Sequence, residues 1–193
     1  MTLASALTGL VGELAIGVLI GLGITLVFAG VQVAGQLVSQ QAGLALGDVF
    51  NPMFESSTTV VSEVYFYVAM IIFLAVGGDQ ALIRALLDSF QSIPPLALQS
   101  TAGFGDILVG LLTLSFTIAI RVGGPTMLAL LLAFLALGFI SRTVPQLNLL
   151  TIGFPIKLAV ALAVMAMTMM SLEPVLLDGV TTCMDALARA LRL

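Results

Sequence analysis

The chain has 193 residues, 60% of them hydrophobic and 8% charged, where a soluble globular domain carries about 45–50% apolar and about 25% charged residues. Ten acids against six bases give a net charge of −4, spread too thinly to form an acidic tail or a nucleic-acid footprint. This composition excludes a water-soluble monomer: one domain, residues 1–193, is expected at this length, and its apolar excess has to face lipid, other subunits or both.

The opening MTLASALTGLVGEL has no basic n-region and no small-residue cleavage site after a short apolar core, so no signal peptide is expected. Leu14 to Val31 is free of charge and close to the roughly 20 residues that cross a hydrocarbon core; it reads as the first helix. Gly17, Gly21, Thr25 and Ala29 recur every fourth residue along it, a small-residue stripe, with Gly17 and Gly21 as a GxxxG, against which a second helix backbone can approach closely. Polar character then rises through Gln32, Gln36, Ser39, Gln40 and Gln41 without a proline or paired glycine, so the helix is expected to continue with these residues lining something wet. From Ala42 to Thr59 the pattern fails at Gly43, Gly47, Asn51-Pro52 and the Ser56 to Thr59 run, giving a long loop that still carries Leu44, Leu46, Val49, Phe50, Met53 and Phe54. An exposed connection is normally polar, and a loop of that length is commonly functional; a short amphipathic turn resting on the bilayer surface is the other reading.

A second helix is expected from Val60 to Val76, closed by Gly77-Gly78-Asp79. A third, Gln80 to Ser92, sets Leu82, Ile83, Leu86, Leu87 and Phe90 on one face and Arg84 with Asp88 on another; it is too short to span and stops at Pro94-Pro95. Beyond a second loop, Ile107 to Ile120 and Val122 to Ile140 read as two apolar runs separated at Arg121 to Pro125, with Pro125 in the first turn of the second run. A break over Ser141 to Asn148 precedes Leu149 to Leu172, which Pro155 and Lys157 interrupt. The tail from Glu173 is amphipathic through Val180, Met184, Leu187 and Leu191 and is expected to lie along a partner or interface. Glu63, Arg121 and Lys157 each sit in an apolar run, and a charge at mid-bilayer costs at least about 2.5–3.5 kcal/mol on insertion scales. Protein partners or a water-filled path would relieve that cost. The six bases form no cluster, so they do not orient the chain across a membrane.

No catalytic constellation is present. Histidine is absent and Cys183 is the single cysteine, which removes imidazole bases, Ser–His and Cys–His dyads, intramolecular disulfides and the usual metal ligands. There is no GxSxG and no GK[ST] phosphate loop, and Gly103-Phe104-Gly105 lacks the third glycine of a dinucleotide fingerprint. Asp79, Asp88 and Asp106 lie beside loop signals and read as solvated helix ends. The nine methionines read as adaptable packing, with Met53 placed to serve as a deformable seal. Neither an enzyme nor a cofactor or metal site is expected.

The most distinctive text is Ser141-Arg142-Thr143-Val144-Pro145-Gln146-Leu147-Asn148 followed by Ile152-Gly153-Phe154-Pro155-Ile156-Lys157. It resembles the R-x-x-P-Q-x-N…G-F-P signature of the FliR family of flagellar export apparatus proteins and its injectisome counterparts. Gly35-Gln36-Leu37-Val38-Ser39-Gln40-Gln41-Ala42-Gly43-Leu44 running to Phe50-Asn51-Pro52 is similar to a second segment of that family, and Leu74 to Pro95 to a third. Departures fall at Ala42, where the family has methionine, at Asn51, where it has aspartate, and near Asp79-Gln80, where its histidine is missing; an apolar region that the family carries ahead of Gly12-Glu13 is also absent from this sequence. The resemblance implies an all-α, polytopic membrane-type fold of helical hairpins with interrupted helices, forming part of a hetero-oligomeric type III export gate. It implies FliP-like, FliQ-like and FlhB-like partner subunits, membrane lipid and unfolded export substrates as contacts, and a place in the bacterial inner membrane at the flagellar basal body. Carried over residue by residue, the channel plug falls on Gln41, Gly43, Leu44, Val49, Phe50 and Pro52, with Met53 beside them, while Arg142, Pro145, Gln146, Asn148, Gly153, Pro155 and Lys157 form the signature. For the signature an architectural role is expected, polar side chains satisfying backbone groups freed at the Pro145 break, and Lys157 is expected to pair with an acid on a neighbouring subunit. The competing readings are the injectisome form of the same gate and a stand-alone transporter, which would require an internal repeat and a polar midplane site, neither of which the sequence shows clearly.

Overall fold

The computed structural model describes residues 3–44, 59–92, 104–143 and 149–191, and all the regular structure among them is helical. Among the described residues six helices follow one another: α1 (Leu3–Ala42), α2 (Val60–Ala75), α3 (Gly78–Ser92), α4 (Phe104–Thr143), α5 (Leu149–Met170) and α6 (Leu172–Leu191). At 1.5 Å per residue, the 40-residue α1 and α4 are each about 60 Å long, roughly twice the thickness of a bilayer's hydrocarbon core.

The first helix is therefore longer than the charge-free run from Leu14 to Val31, and it carries on through the glutamines as expected. Its buried residues Ile16, Leu19, Ile20, Ile24, Val27, Phe28, Val31, Ala34, Val38 and Ala42 recur with the i, i+3, i+4 spacing of one helix face, a single stripe along the helix. The end is set by Gly43 at φ 83°, a conformation that glycine alone reaches at little cost. Its amide donates to the Gln40 carbonyl at 3.1 Å and that of Leu44 to Ser39 at 3.0 Å, the paired bonds of a Schellman motif. Thr59 starts α2: its hydroxyl accepts from the Ser62 amide at 3.4 Å and its carbonyl from the Glu63 amide at 3.1 Å. Glu63 in that first turn complements the helix dipole.

The helices pair as two hairpins standing side by side. α2 runs antiparallel to α1, with Ser62 against Gly35 and the rings of Phe66 and Phe73 edge-on to Phe28 at 5.7 and 5.4 Å. α5 and α6 descend antiparallel to α4, with Gly153 beside Leu137 and Gly179 beside Ile118. The two long helices run parallel, since Gly23 lies by Leu111, Gly30 by Ser115 and Ile118, and Gly123 by Ala34. At Gly77 the chain leaves the first hairpin: α3 bends 65° away from α2.

Two sequence expectations are corrected. The runs on either side of Arg121 to Pro125 are one helix, with Pro125 in its interior. A proline there forfeits one backbone hydrogen bond and crowds the carbonyl four residues back, about 3 kcal/mol. Leu111, Ser115, Ile118, Val122, Gly123, Thr126 and Leu130 are nevertheless buried as one uninterrupted stripe while Pro125 is exposed; this burial, with α4 packed on α1, keeps the halves in line. Pro155 likewise lies inside α5 and does not divide it. The terminal helix is the second correction: instead of waiting for a partner, α6 buries Leu172, Leu176, Cys183 and Leu187 in the chain's own core against α1 and α4.

Candidate functional site

The plug segment is the first candidate, and its start is firmly held. Ala42 is fully buried, Leu44 packs partly buried against the core, and Gly43 supplies the reversal of direction that sends the chain out of the helix. The Oε1 of Gln41 is buried without a hydrogen-bond partner. Such an atom carries a desolvation cost of about 1–3 kcal/mol, so the end of α1 is polar, enclosed and not internally satisfied. Val49, Phe50, Pro52 and Met53 lie outside the described residues.

The signature residues divide similarly. Arg142 is exposed in the last turn of α4, where a cation is favoured by the helix dipole; Pro145, Gln146 and Asn148 are outside the described residues. Gly153 is buried, and a Cβ placed there would meet Leu137 Cδ1 at 3.7 Å, ordinary contact distance, so this glycine marks where α5 meets α4. Pro155 is exposed. The Lys157 ammonium stands 4.6 Å from the centroid of the Phe134 ring on α4, within cation–π range. The structure thus brings Gly153 and Lys157 together on the α4–α5 seam, with an aromatic face rather than a carboxylate as the recorded partner of the lysine.

The expected packing glycines lie elsewhere. Gly17 and Gly21 are exposed and a Cβ on either would meet nothing within 4 Å, so none of the described helices packs on the GxxxG. Close approach occurs at Gly30, where a Cβ would overlap the Ser115 carbonyl of α4, and at Gly35, where it would overlap the backbone of Ser62 in α2.

Two polar links at mid-height escaped the sequence reading. Arg121 Nη1 of α4 donates to Asp178 Oδ2 of α6 in an ion pair whose side chains are 54% and 57% exposed. The charge that interrupts α4 is therefore matched within the chain. Tyr65, fully buried in α2, shares a 3.1 Å hydrogen bond with the Thr168 hydroxyl of α5, which also approaches the Met165 carbonyl at 2.9 Å. Spacing along one helix cannot reveal either link, since both join helices distant in sequence. The Thr126 hydroxyl is buried without a partner. Cys183 is buried and free, and burial pushes its thiol up to about 11, so it is a packing residue and a poor nucleophile at neutral pH. No group of three or more His, Cys, Asp or Glu among the described residues is placed to hold a metal ion.

Among the described residues three stretches are long and apolar enough to cross a membrane, Gly12–Ala42, Gly105–Arg142 and Gly153–Met170, with the bent pair Val60–Ala75 and Gly78–Leu87 a fourth if it counts as one broken span. Their outward faces are apolar: Phe116, Ile120, Leu128, Leu132, Phe134 and Phe139 are exposed along α4 on both sides of Arg121. A family model described as bacterial export proteins, family 1, matches residues 1–182. The chain belongs to that family. Among its curated relatives are the flagellar biosynthetic proteins FliR of Bacillus subtilis (strain 168), 30% identical over 162 residues, and of Escherichia coli (strain K12), 31% identical over 166 residues. The Yop proteins translocation protein T of Yersinia pestis is 30% identical over 164 residues. These alignments cover 81%, 85% and 82% of this chain but 62%, 63% and 63% of the relatives, in the same order. The chain spans somewhat less than two thirds of the bacterial export proteins it matches.

Proposed function

We propose that this chain is a subunit of the type III protein export gate, acting with FliP-like, FliQ-like and FlhB-like subunits in the bacterial inner membrane at the flagellar basal body to form and plug the channel for unfolded substrates. The observation that carries the reading, beyond family membership, is that the outer face of α4 stays apolar over most of a helix about 60 Å long, far beyond what one hydrocarbon core covers. Large exposed apolar faces of that extent are covered in a working protein, and sister subunits cover them along the whole length where lipid reaches only part.

In this reading the segment after α1 seals the channel. Leu44, Val49, Phe50 and Met53 supply the water-excluding surface, Gly43 and Pro52 set its path, and Gln41 at its root offers a polar atom with no internal partner. Replacing Leu44 to Phe50 by a serine–glycine linker should raise ion leakage through the assembled gate; an unchanged leak with normal assembly removes the plug assignment. Lys157, held beside Phe134 at the α4–α5 seam, pairs with a carboxylate of a neighbouring subunit, so Lys157→Met should lower the yield of complex. Wild-type yield would count against that pairing.

One observation favours the transporter reading. Each hairpin has a 40-residue helix, then a shorter apolar helix of 16 or 22 residues, then an amphipathic one of 15 or 20, the order that an internal repeat of the kind transporters use would give. An isolated chain that catalyses solute uptake in vesicles would establish that reading in place of the gate.

A further inference from the structure

The two hairpins differ at one joint. In the second, α6 continues from α5 across Ser171, whose amide and hydroxyl both bond the Thr168 carbonyl at 3.1 and 2.9 Å, and Leu172 and Leu176 are buried immediately beyond. In the first, the chain turns at Gly77, φ 79°, and beyond Gly78 the described side chains of α3 are exposed or half-buried, Leu82 packing partly buried against the core. Ile83 and Leu87 are 58% and 56% exposed.

The helix before this elbow is fixed. Phe73 packs on Phe28 and its ring occupies the place where a Cβ of Gly78 would stand, while Tyr65 is tied to Thr168. Between the elbow and α6 lies an open-sided cleft of about 200 Å³, walled by Ile72, Phe73, Val76 and Ala81 on one side and by Leu177 and Val180 among the residues of α6 on the other. Its one hydroxyl, Thr181, is spent on the Leu177 and Asp178 carbonyls. A cavity without polar partners does not hold an ordered water, so the cleft gains by being filled with apolar atoms. Gly78, Ala81 and Ala85 share one face of α3 by their three- and four-residue spacing, and side chains that small allow close approach to another helix.

We propose that α3 is a hinged arm that swings about Gly77 and closes the apolar cleft by laying its Ala81 and Ala85 face on α6. A glycine in the left-handed region is free to take up the backbone change, hinges being a few terminal residues of an element that absorb a large dihedral change. Neither α2 nor α6 moves, because each is anchored in the core on the α1 side.

Spin labels at Leu87→Cys on α3 and Thr182→Cys on α6, in the full chain reconstituted in lipid nanodiscs, test this by pulsed electron–electron distance measurement; buried Cys183 is controlled by the parent chain carried through the same labelling. Two distance populations are expected for this pair and one for a Tyr67→Cys/Thr182→Cys pair, since Tyr67 precedes the hinge. Adding Ala81→Phe, which props the cleft, should leave only the longer of the two. A single population for the Leu87 pair overturns the proposal, and so do two populations that Ala81→Phe leaves unchanged. Should the Ala81→Phe chain not fold, the labelled chain without it still decides by showing one population or two.

Discussion

Substituting alanine for glycine at two positions of the same helix should move stability in opposite directions. Gly17 and Gly35 both lie inside α1, where alanine is favoured over glycine by about 0.8–1.0 kcal/mol. At Gly17 a Cβ meets nothing within 4 Å, so Gly17→Ala should keep most of that gain. At Gly35 the same methyl would overlap the Cα and amide nitrogen of Ser62, and backbone cannot step aside as the end of a flexible side chain does. Overpacking of a close contact costs about 1–3 kcal/mol, occasionally more; with α2 also tied through Tyr65 to Thr168, the upper part of that range applies and the net loss is about 2 kcal/mol. At about 2–4 °C per kcal/mol for a chain of this size, Gly35→Ala should melt roughly 4–8 °C lower than the parent and Gly17→Ala roughly 2–4 °C higher. Thermal melting of the purified chain in detergent, followed by far-ultraviolet circular dichroism, measures both. Equal or higher stability of Gly35→Ala would refute the placement of α2 on α1. The same pair probes assembly: if the outward stripe of Gly17 and Gly21 receives a sister helix, Gly17→Ala lowers complex yield while the isolated chain is stabilised.

Tyr65→Phe removes a buried hydroxyl from Thr168, which retains the Met165 carbonyl, so a loss of about 1 kcal/mol is expected; a double-mutant cycle with Thr168→Val should return a coupling of about 0.5–1.5 kcal/mol, and strict additivity would mean the bond is not formed. Arg121 and Asp178 are each more than half exposed, so Arg121→Gln or Asp178→Asn should cost no more than about 1 kcal/mol in the isolated chain, and the exchange Arg121→Asp/Asp178→Arg should recover the loss. A larger loss would mean the pair sits in a less polar setting. The Cys183 thiol is raised from 9.0 to about 11 by burial. A raised pKa means the folded chain favours the neutral thiol, so this contribution is complete below about pH 9 and fades as pH climbs towards about 11. Cys183→Ala should flatten that part of the stability profile, and maleimide should label the native thiol far more slowly than the unfolded one.

Hydrophobic runs and turns were legible because they are local. The second helix starts at Val60 and the chain turns at Gly77 where the sequence placed its ends, since a glycine of positive φ acts within a few residues; the Thr59 cap that fixes the start was not read from the sequence. Pro125 misled because its local cost is outweighed by a buried stripe running from Leu111 to Leu130 against another helix, and nothing near the proline announces that. The tail was read with the right character but the wrong recipient: amphipathicity says that a face will be covered, not by what. The same gap explains the glycines. A GxxxG identifies a surface fit for contact, whereas Gly30 and Gly35 make their contacts within the chain only because α4 and α2 arrive there. Of the candidate site, the family signature was readable as text, and the links between helices, Arg121 to Asp178 and Tyr65 to Thr168, were not.

Native mass spectrometry of the full chain, affinity-purified after co-expression with FliP-like and FliQ-like subunits, tests most directly whether sister subunits cover the apolar flanks of α4. A single large hetero-oligomer containing this chain, with a negligible free fraction, is expected. Recovery of a stable, monodisperse single chain, with those subunits present and unbound, would contradict it.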